Sequence, residues 1–427
     1  MRKTRALFIA AMVASLAALV ESAGAEGSAY ARWRNGPSAD PKFFPIAVWL
    51  QVPRKAPDYK AIGINTYVGL WKGPTEEQLA ELTRHGMKVV CSQNDVGLKH
   101  RNDPTIIGWM HMDEPDNAQP IGKYWKSVRD IKRAWPDAPD RTLEAWGKWG
   151  PCVPPKDVAA LYTKMKAADP TRPVLLNLGQ GVAWDGWHGR NRSNHPEDYA
   201  EYARGADIVS FDVYPMCSQH AATGGKLHLV AHGVSRLRRW TTKEQIVWNA
   251  LECTPISSPD HRPTPRHVRA EVWMSLIHGS RGIIYFVHVM GPRFIEAGLL
   301  ADREMSAAVA QINRQIHALA PVLNDPTLED AVTVKADPPG VSADLAGTVG
   351  GGPVAVMVKK HAGATYLFAV RMEDRPAKAT FTLKPAPRAA TVEVIDEDRR
   401  LPLSRGAFTD DFKPYDVHLY RIADAGR

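Results

Sequence analysis

Cysteine is scarce in this chain: four residues in 427, at Cys91, Cys152, Cys217 and Cys253, with no pair at CxxC spacing. That excludes a disulfide-built scaffold and a zinc ribbon. After Val20 no apolar run approaches the roughly 20 residues that cross a bilayer, so no membrane span is expected. Basic residues outnumber acidic ones, 54 to 46, but they are scattered along the chain. Small groups such as Arg236, Arg238 and Arg239 fit the solvated face of a helix, and no basic stripe interleaved with aromatics argues for a nucleic-acid partner. With 44% apolar and 23% charged residues, disorder, collagen and coiled coil are also excluded.

The first 25 residues combine Arg2, Lys3 and Arg5, an apolar run from Ala6 to Val20, and Ala23-Gly24-Ala25. This is the pattern of a cleaved export signal, so a periplasmic or extracellular location is expected. Cleavage there would remove three basic residues and one acidic, taking the net charge from +8 to +6. Residues 26–42 then form an N-terminal extension.

From residue 43 to 320 short β-branched runs alternate with amphipathic helical stretches, the signature of βα units around a parallel sheet. Eight strands are expected: Ile46–Val52, Ile64–Leu70, Lys88–Gln93, Ile106–Met112, Val174–Leu178, Ile208–Tyr214, Gln245–Leu251 and Ile283–Val287. Eight is the number of a (β/α)8 barrel. Helices are expected at Thr75–His85, Tyr124–Trp135, Lys156–Ala168, Pro265–His278 and Arg303–Leu319. Beyond Pro321 helical periodicity gives way to alternating runs broken by Gly and Pro, the pattern of a small antiparallel β-sandwich over 321–427. Gly347–Gly352 lacks the strand-before, helix-after context of a phosphate loop and reads as a hairpin turn.

In a (β/α)8 barrel the chemistry sits at the C-terminal ends of the strands. Strand four closes on Asp113-Glu114-Pro115 and strand seven on Glu252, two carboxylates facing each other across the mouth. Asp212 lies inside strand six, where a charged side chain must be paired or functional. Trp71, Trp146, Trp149, Trp184 and Trp187 fall in rim loops, where their faces could stack on sugar C–H surfaces. The Gly- and Trp-rich stretch from Gly179 to Tyr199 is too long for a plain connector and reads as a wall of the site.

On Asp113-Glu114-Pro115, on Glu252, and on the strand-six run DIVSFDVYP, the chain resembles the clan of retaining (β/α)8 glycoside hydrolases with acid/base on strand four and nucleophile on strand seven. The resemblance implies an exported hydrolase of a poly- or oligosaccharide, with Glu114 as acid/base and Glu252 as nucleophile. It places Tyr214 beside Glu252. A hydrogen bond from Tyr214 should keep Glu252 ionised, and the apolar Met110 and Met112 before Glu114 should leave it less solvated, so that it keeps a proton. Asp113, Trp49, Tyr67, Asn177, Asp212, Tyr214, Asn249, His288, Trp184 and Trp187 are the expected substrate-binding residues. No cofactor and no metal are expected; His111 and His288 are too few to hold one.

The clan has Asn where this chain has Asp113, and an ionised Asp cannot donate to a sugar hydroxyl. The Asp-Glu pair is similar instead to the barrel hexosaminidases that work by substrate assistance, in which the Asp steers an acetamido group and the Glu is the acid. A carbohydrate-binding barrel without catalysis is a further alternative. The exported setting and the adjacency of strands six and seven make a Cys217–Cys253 disulfide feasible. The sequence leaves the sugar, the linkage, endo or exo action and the oligomeric state open.

Overall fold

A computed structural model describes residues 28–343, 345–346 and 352–423. The signal sequence, and all but Gly352 of the turn at Gly347–Gly352, lie outside the described residues.

Eight parallel strands form the barrel: β1 (Ile46–Trp49), β2 (Thr66–Val68), β3 (Lys88–Ser92), β4 (Ile106–Asp113), β5 (Val174–Leu178), β6 (Ile208–Phe211), β7 (Ile246–Val247 and, past Trp248, Asn249–Glu252) and β8 (Ile283–Phe286). Each pairs in parallel with the next, β1 pairs with β8, and the two pieces of β7 pair with β6 and β8, closing the sheet. Helices follow the strands as the amphipathic pattern requires. Glu76–Arg84 starts at a capping box between Thr75 and Gln78, and Pro265–Ile277 at one between Thr264 and His267. The helix expected from Tyr124 begins only at Val128, because Ser127 Oγ accepts the Asp130 N–H and caps it there.

Alternate side chains along the strands divide into two cores. Those pointing inward, among them Ala47, Val68, Val90, Ile107, Leu175, Ile208, Trp248 and Ile284, fill the barrel. Those pointing outward, among them Val48, Tyr67, Val89, Trp109, Leu176, Phe211 and Leu251, pack under the helices. The N-terminal extension joins the inner core through Tyr30 and Trp33: Tyr30 donates to the Arg281 carbonyl at 2.7 Å and accepts from Trp248 Nε1 at 2.8 Å. Packing thus fills the barrel below its mouth.

The last helix, Arg303–Asn324, leads to two antiparallel sheets, one of three strands and one of five. Phe381, Phe408, Phe412 and Tyr420 are buried between them, with Phe381 and Phe408 stacked at 4.9 Å. The five-stranded sheet packs on the barrel through Phe368, whose ring lies 5.2 Å from that of Trp273 on helix Pro265–Ile277. Among the described residues no helix is long and apolar enough to cross a membrane.

Candidate active site

The mouth is shaped by an irregularity in β4. Met110 pairs with Leu175 and Asp113 with Asn177, so three steps on β4 match two on β5. This bulge turns Asp113 toward the mouth and leaves Glu114 with a left-handed backbone, φ 44°. A non-glycine residue held there carries about 1–2 kcal/mol of strain. It is held by the Glu114 N–H bonded to the Asn177 carbonyl at 2.9 Å and by the Asn117 N–H bonded to the Glu114 carbonyl at 3.0 Å.

Asn177, buried at the end of β5, is the hub of the carboxylate cluster. Its Nδ2 donates to Asp113 Oδ1 at 3.1 Å and to Asp212 Oδ2 at 3.0 Å, while its Oδ1 accepts from Ser210 Oγ at 2.8 Å. One amide therefore binds the carboxylates of strands four and six. Asp212 also lies in side-chain hydrogen-bonding contact with Glu114. The charge of Asp212, followed by burial, drives the Glu114 pKa well above the ordinary carboxyl range. Burial, followed by the charge of Asp113, raises Asp212 less far. Two buried carboxyls this close disfavour ionising together, so the pair keeps a proton more readily than an isolated carboxyl does. Asp113 is exposed at the mouth, and its surroundings also raise its pKa.

Gly179 lets Glu114 occupy this position. A Cβ there would stand 3.0 Å from Glu114 Oε1 and 3.1 Å from Asn117 Oδ1. Asp116, buried just beyond Glu114, accepts the Gly179 N–H at 2.9 Å and the Tyr199 hydroxyl at 2.8 Å, tying both ends of the Gly179–Tyr199 stretch to the turn that follows Glu114. The same stretch carries Trp184 and Trp187, half-buried with ring centroids 6.1 Å apart. Trp187 Nε1 donates to Asn117 Oδ1 at 2.7 Å. Sequence reasoning singled out neither Asp116 nor Gly179 by itself: Gly179 opens the stretch read as a wall of the site, and Asp116 is the second Asp of the run Asp113-Glu114-Pro115-Asp116.

Glu252 does not lie open in the mouth. It has no exposed surface, and its Oε1 and Oε2 accept the N–H groups of Met216 and Cys217 at 2.6 and 2.8 Å. Its bonds thus go to the loop that follows Asp212 and Tyr214, and no hydrogen bond from Tyr214 to Glu252 is present among the described residues. Burial raises the Glu252 pKa, opposed by the hydrogen bonds from Cys217 and Met216, and the equally buried Glu271 of helix Pro265–Ile277 is raised well above the ordinary carboxyl value by burial and by the charge of Glu252. Tyr214 stands near Asp212, Glu114, Asp113 and Glu252, its ring 5.3 Å from that of Phe286 of β8.

Two expected binding residues point away. Tyr67 faces the outer core and packs edge-on against Tyr59 at 6.1 Å. Asn249 is fully buried behind β7, donating to the Phe211 carbonyl and accepting from Ser275 Oγ of the neighbouring helix. Their parity in the strand puts both outside the barrel. Trp49 and His288 do line the mouth, beside an apolar cleft on the opposite side from Trp184 and Trp187. His111 is satisfied behind β4 by the Val158 carbonyl and the Met112 N–H. Cys217 and Cys253 are both free, because their thiols are directed to different carbonyls, those of Thr254 and Phe286. No cluster of three metal-ligating side chains occurs among the described residues.

No protein-family model matches the sequence, and no curated protein is significantly similar to it. The fold is similar to that of solved structures. One is an alpha-amylase from Geobacillus thermoleovorans complexed with acarbose: 11% identity, 90% of this chain and 99% of that chain covered, TM-score 0.51. Another is a catalytic mutant of a GH42 beta-galactosidase from G. stearothermophilus: 10% identity, 92% and 100% covered, TM-score 0.53. At these identities the likeness is one of fold, a barrel followed by antiparallel sheets, and the function has to be argued from the site.

Proposed function

We propose that this chain is an exported glycoside hydrolase in which Glu114 is the general acid and the nucleophile is supplied by the substrate. The observation that carries this reading is the burial of Glu252, both of whose carboxylate oxygens are taken by backbone N–H groups, while Asp113, Glu114 and Asp212 cluster at the mouth. Glu252, the expected nucleophile, would have to give up both backbone hydrogen bonds and leave a fully buried site to reach a sugar.

Substrate assistance fits the groups present. The carbonyl oxygen of a 2-acetamido group attacks the anomeric carbon as the glycosidic C–O bond breaks, and the departing oxygen takes the Glu114 proton. Asp113, oriented by Asn177, accepts from the acetamido N–H and makes its carbonyl the better nucleophile. Asp212 supplies the negative charge that keeps Glu114 protonated before the step. Water then adds to the anomeric carbon, giving its proton back to Glu114, and two inversions leave the configuration retained. Trp184 and Trp187 support a carbohydrate ligand at the polar side of the mouth. The fold shared with an alpha-amylase and a beta-galactosidase agrees with a glycosidase without identifying the substrate.

A panel of matched aryl glycosides, with 2-acetamido or 2-hydroxy groups, tests the proposal. Turnover of the acetamido series that disappears in Glu114→Gln is the expected result. Equal turnover of both series would return the nucleophile to the protein, and no turnover of any glycoside would favour a binding barrel.

A further inference from the structure

The two sides of the mouth differ in chemistry. Around β4 to β6 the wall beside the carboxylates presents Asn117, Asn177 and the histidines His188 and His220 against Trp184. Around β1, β2 and β8 lies a cleft of about 490 Å³ whose walls are Trp49, Trp71, Phe286, Met290 and Phe294, with His288 and Glu296 among its few polar side chains. Trp71, Met290 and Phe294 are 64%, 54% and 58% exposed. Apolar side chains this exposed, and gathered in one concavity, mark a binding surface.

Most of the polar atoms at the back of the cleft are already committed. Glu296 Oε1 accepts the Val52 N–H at 3.0 Å, and the Glu296 carbonyl accepts Gln51 Nε2 at 2.9 Å. Tyr59 donates to Gln51 Oε1 at 2.6 Å, which fixes the orientation of that amide. Gln51 Nε2 must therefore donate to His288 Nε2, 3.1 Å away, so neutral His288 carries its proton on Nδ1. That N–H lies toward the Leu50 carbonyl without completing a hydrogen bond. His288 is 6% exposed and its Nδ1 has no accessible surface, so it offers no donor to a ligand in the cleft.

A pyranose seated here would leave most of its hydroxyls without a partner, a cost that disfavours it. A flat aromatic ring needs no such partners and can stack on the apolar walls. The cleft adjoins the carboxylates through Phe286, which forms its wall and whose ring lies 5.3 Å from that of Tyr214, a residue beside Asp212 and Glu114. We infer that this cleft is a subsite for an aromatic aglycone, so that the substrates are aryl glycosides whose sugar lies on the polar side of the mouth and whose phenolic leaving group lies among Trp71, Phe286 and Phe294. The role as leaving-group subsite rests on the glycosidase reading; the affinity for an aromatic ring does not.

Calorimetric titration of the full chain with 4-nitrophenol tests the site without catalysis. Saturable binding is expected, weakened about tenfold by Trp71→Ala and by Phe294→Ala, the loss of one stacked ring, and unchanged in Glu114→Gln. Both replaced side chains are more than half exposed, so the variants should fold, which circular dichroism verifies. In turnover, the same two variants should raise KM for a 4-nitrophenyl glycoside and leave kcat/KM for the matching methyl glycoside unchanged. Absence of saturable binding, binding indifferent to both substitutions, or tighter binding of 1-octanol than of 4-nitrophenol would overturn the subsite. Phenol binding by a protein that hydrolyses no glycoside would instead overturn the glycosidase reading and leave the aromatic site standing.

Discussion

Glu114 and Asp212, ninety-eight positions apart in sequence, place their carboxyls in hydrogen-bonding contact at the barrel mouth, with Asn177 donating to Asp212 and to Asp113 from one amide nitrogen. An arrangement that crowds three carboxyls disfavours their ionised forms. It persists because the β4 bulge and the hydrogen bonds of the 114–117 turn fix the backbone around it.

The first consequence is a pH dependence of stability. The native Asp212 pKa is raised to about 7, above its unfolded value, so between those two values the folded chain binds more protons than the unfolded one. Stability from this group is therefore complete below the unfolded pKa and is lost as pH rises through about 7. Asp212→Asn removes the effect. Melting temperatures of the two proteins should coincide near pH 4 and diverge above neutrality, with the Asp212→Asn variant the more stable; a wild type that stays the more stable at pH 8 contradicts the shared proton.

Activity should follow the same dyad in the other direction. With Glu114 as the acid, kcat/KM rises as the dyad loses its first proton, assigned mainly to Asp212, and falls at higher pH as Glu114 loses its own. A pH–rate profile should show both limbs displaced upward from ordinary carboxyl values. A profile already falling at pH 5 would show that Glu114 is not the group titrating.

Gly179→Ala isolates the close approach at Glu114. Gly179 has φ −81°, which alanine adopts without strain, so the effect comes from the methyl group meeting Glu114 Oε1 and Asn117 Oδ1. A displacement of the acid of this kind should lower kcat by about 10–100-fold with little change in melting temperature. Unchanged kcat would mean that Glu114 is not held by this contact during turnover.

Glu252→Gly should lower activity by loosening the 212–217 loop, and azide should not restore it. Were Glu252 the nucleophile, azide would take its place and a glycosyl azide of inverted configuration would accumulate. Product analysis by NMR separates the two, and a glycosyl azide at any substantial yield returns the nucleophile to Glu252.

The barrel was legible in the sequence because a strand buried on both faces leaves a short β-branched run, and eight such runs separated by amphipathic stretches admit few other closures. Asp113 and Glu114 were legible because they stand just before a proline that ends the strand. What a strand end does not disclose is the direction in which its last side chain is satisfied. Glu252 has the parity of an inward residue, like Ala250 and Trp248, yet the loop after Asp212 folds over it and takes both oxygens. Asn249 is three positions from Glu252 and so of opposite parity, a conflict readable in the sequence itself. The β4 bulge and the contact between Glu114 and Asp212 depend on register between strands far apart in the chain, which no local pattern carries.

The most direct test of the account is mass spectrometry of the protein incubated with an activated 2-fluoro glycoside, a substrate that traps a glycosyl–enzyme ester and offers no acetamido group. The account predicts unmodified protein, alongside wild-type turnover of the 2-acetamido analogue. A stoichiometric mass increase mapped to Glu252 or Asp212 would contradict it and establish a protein nucleophile at that residue.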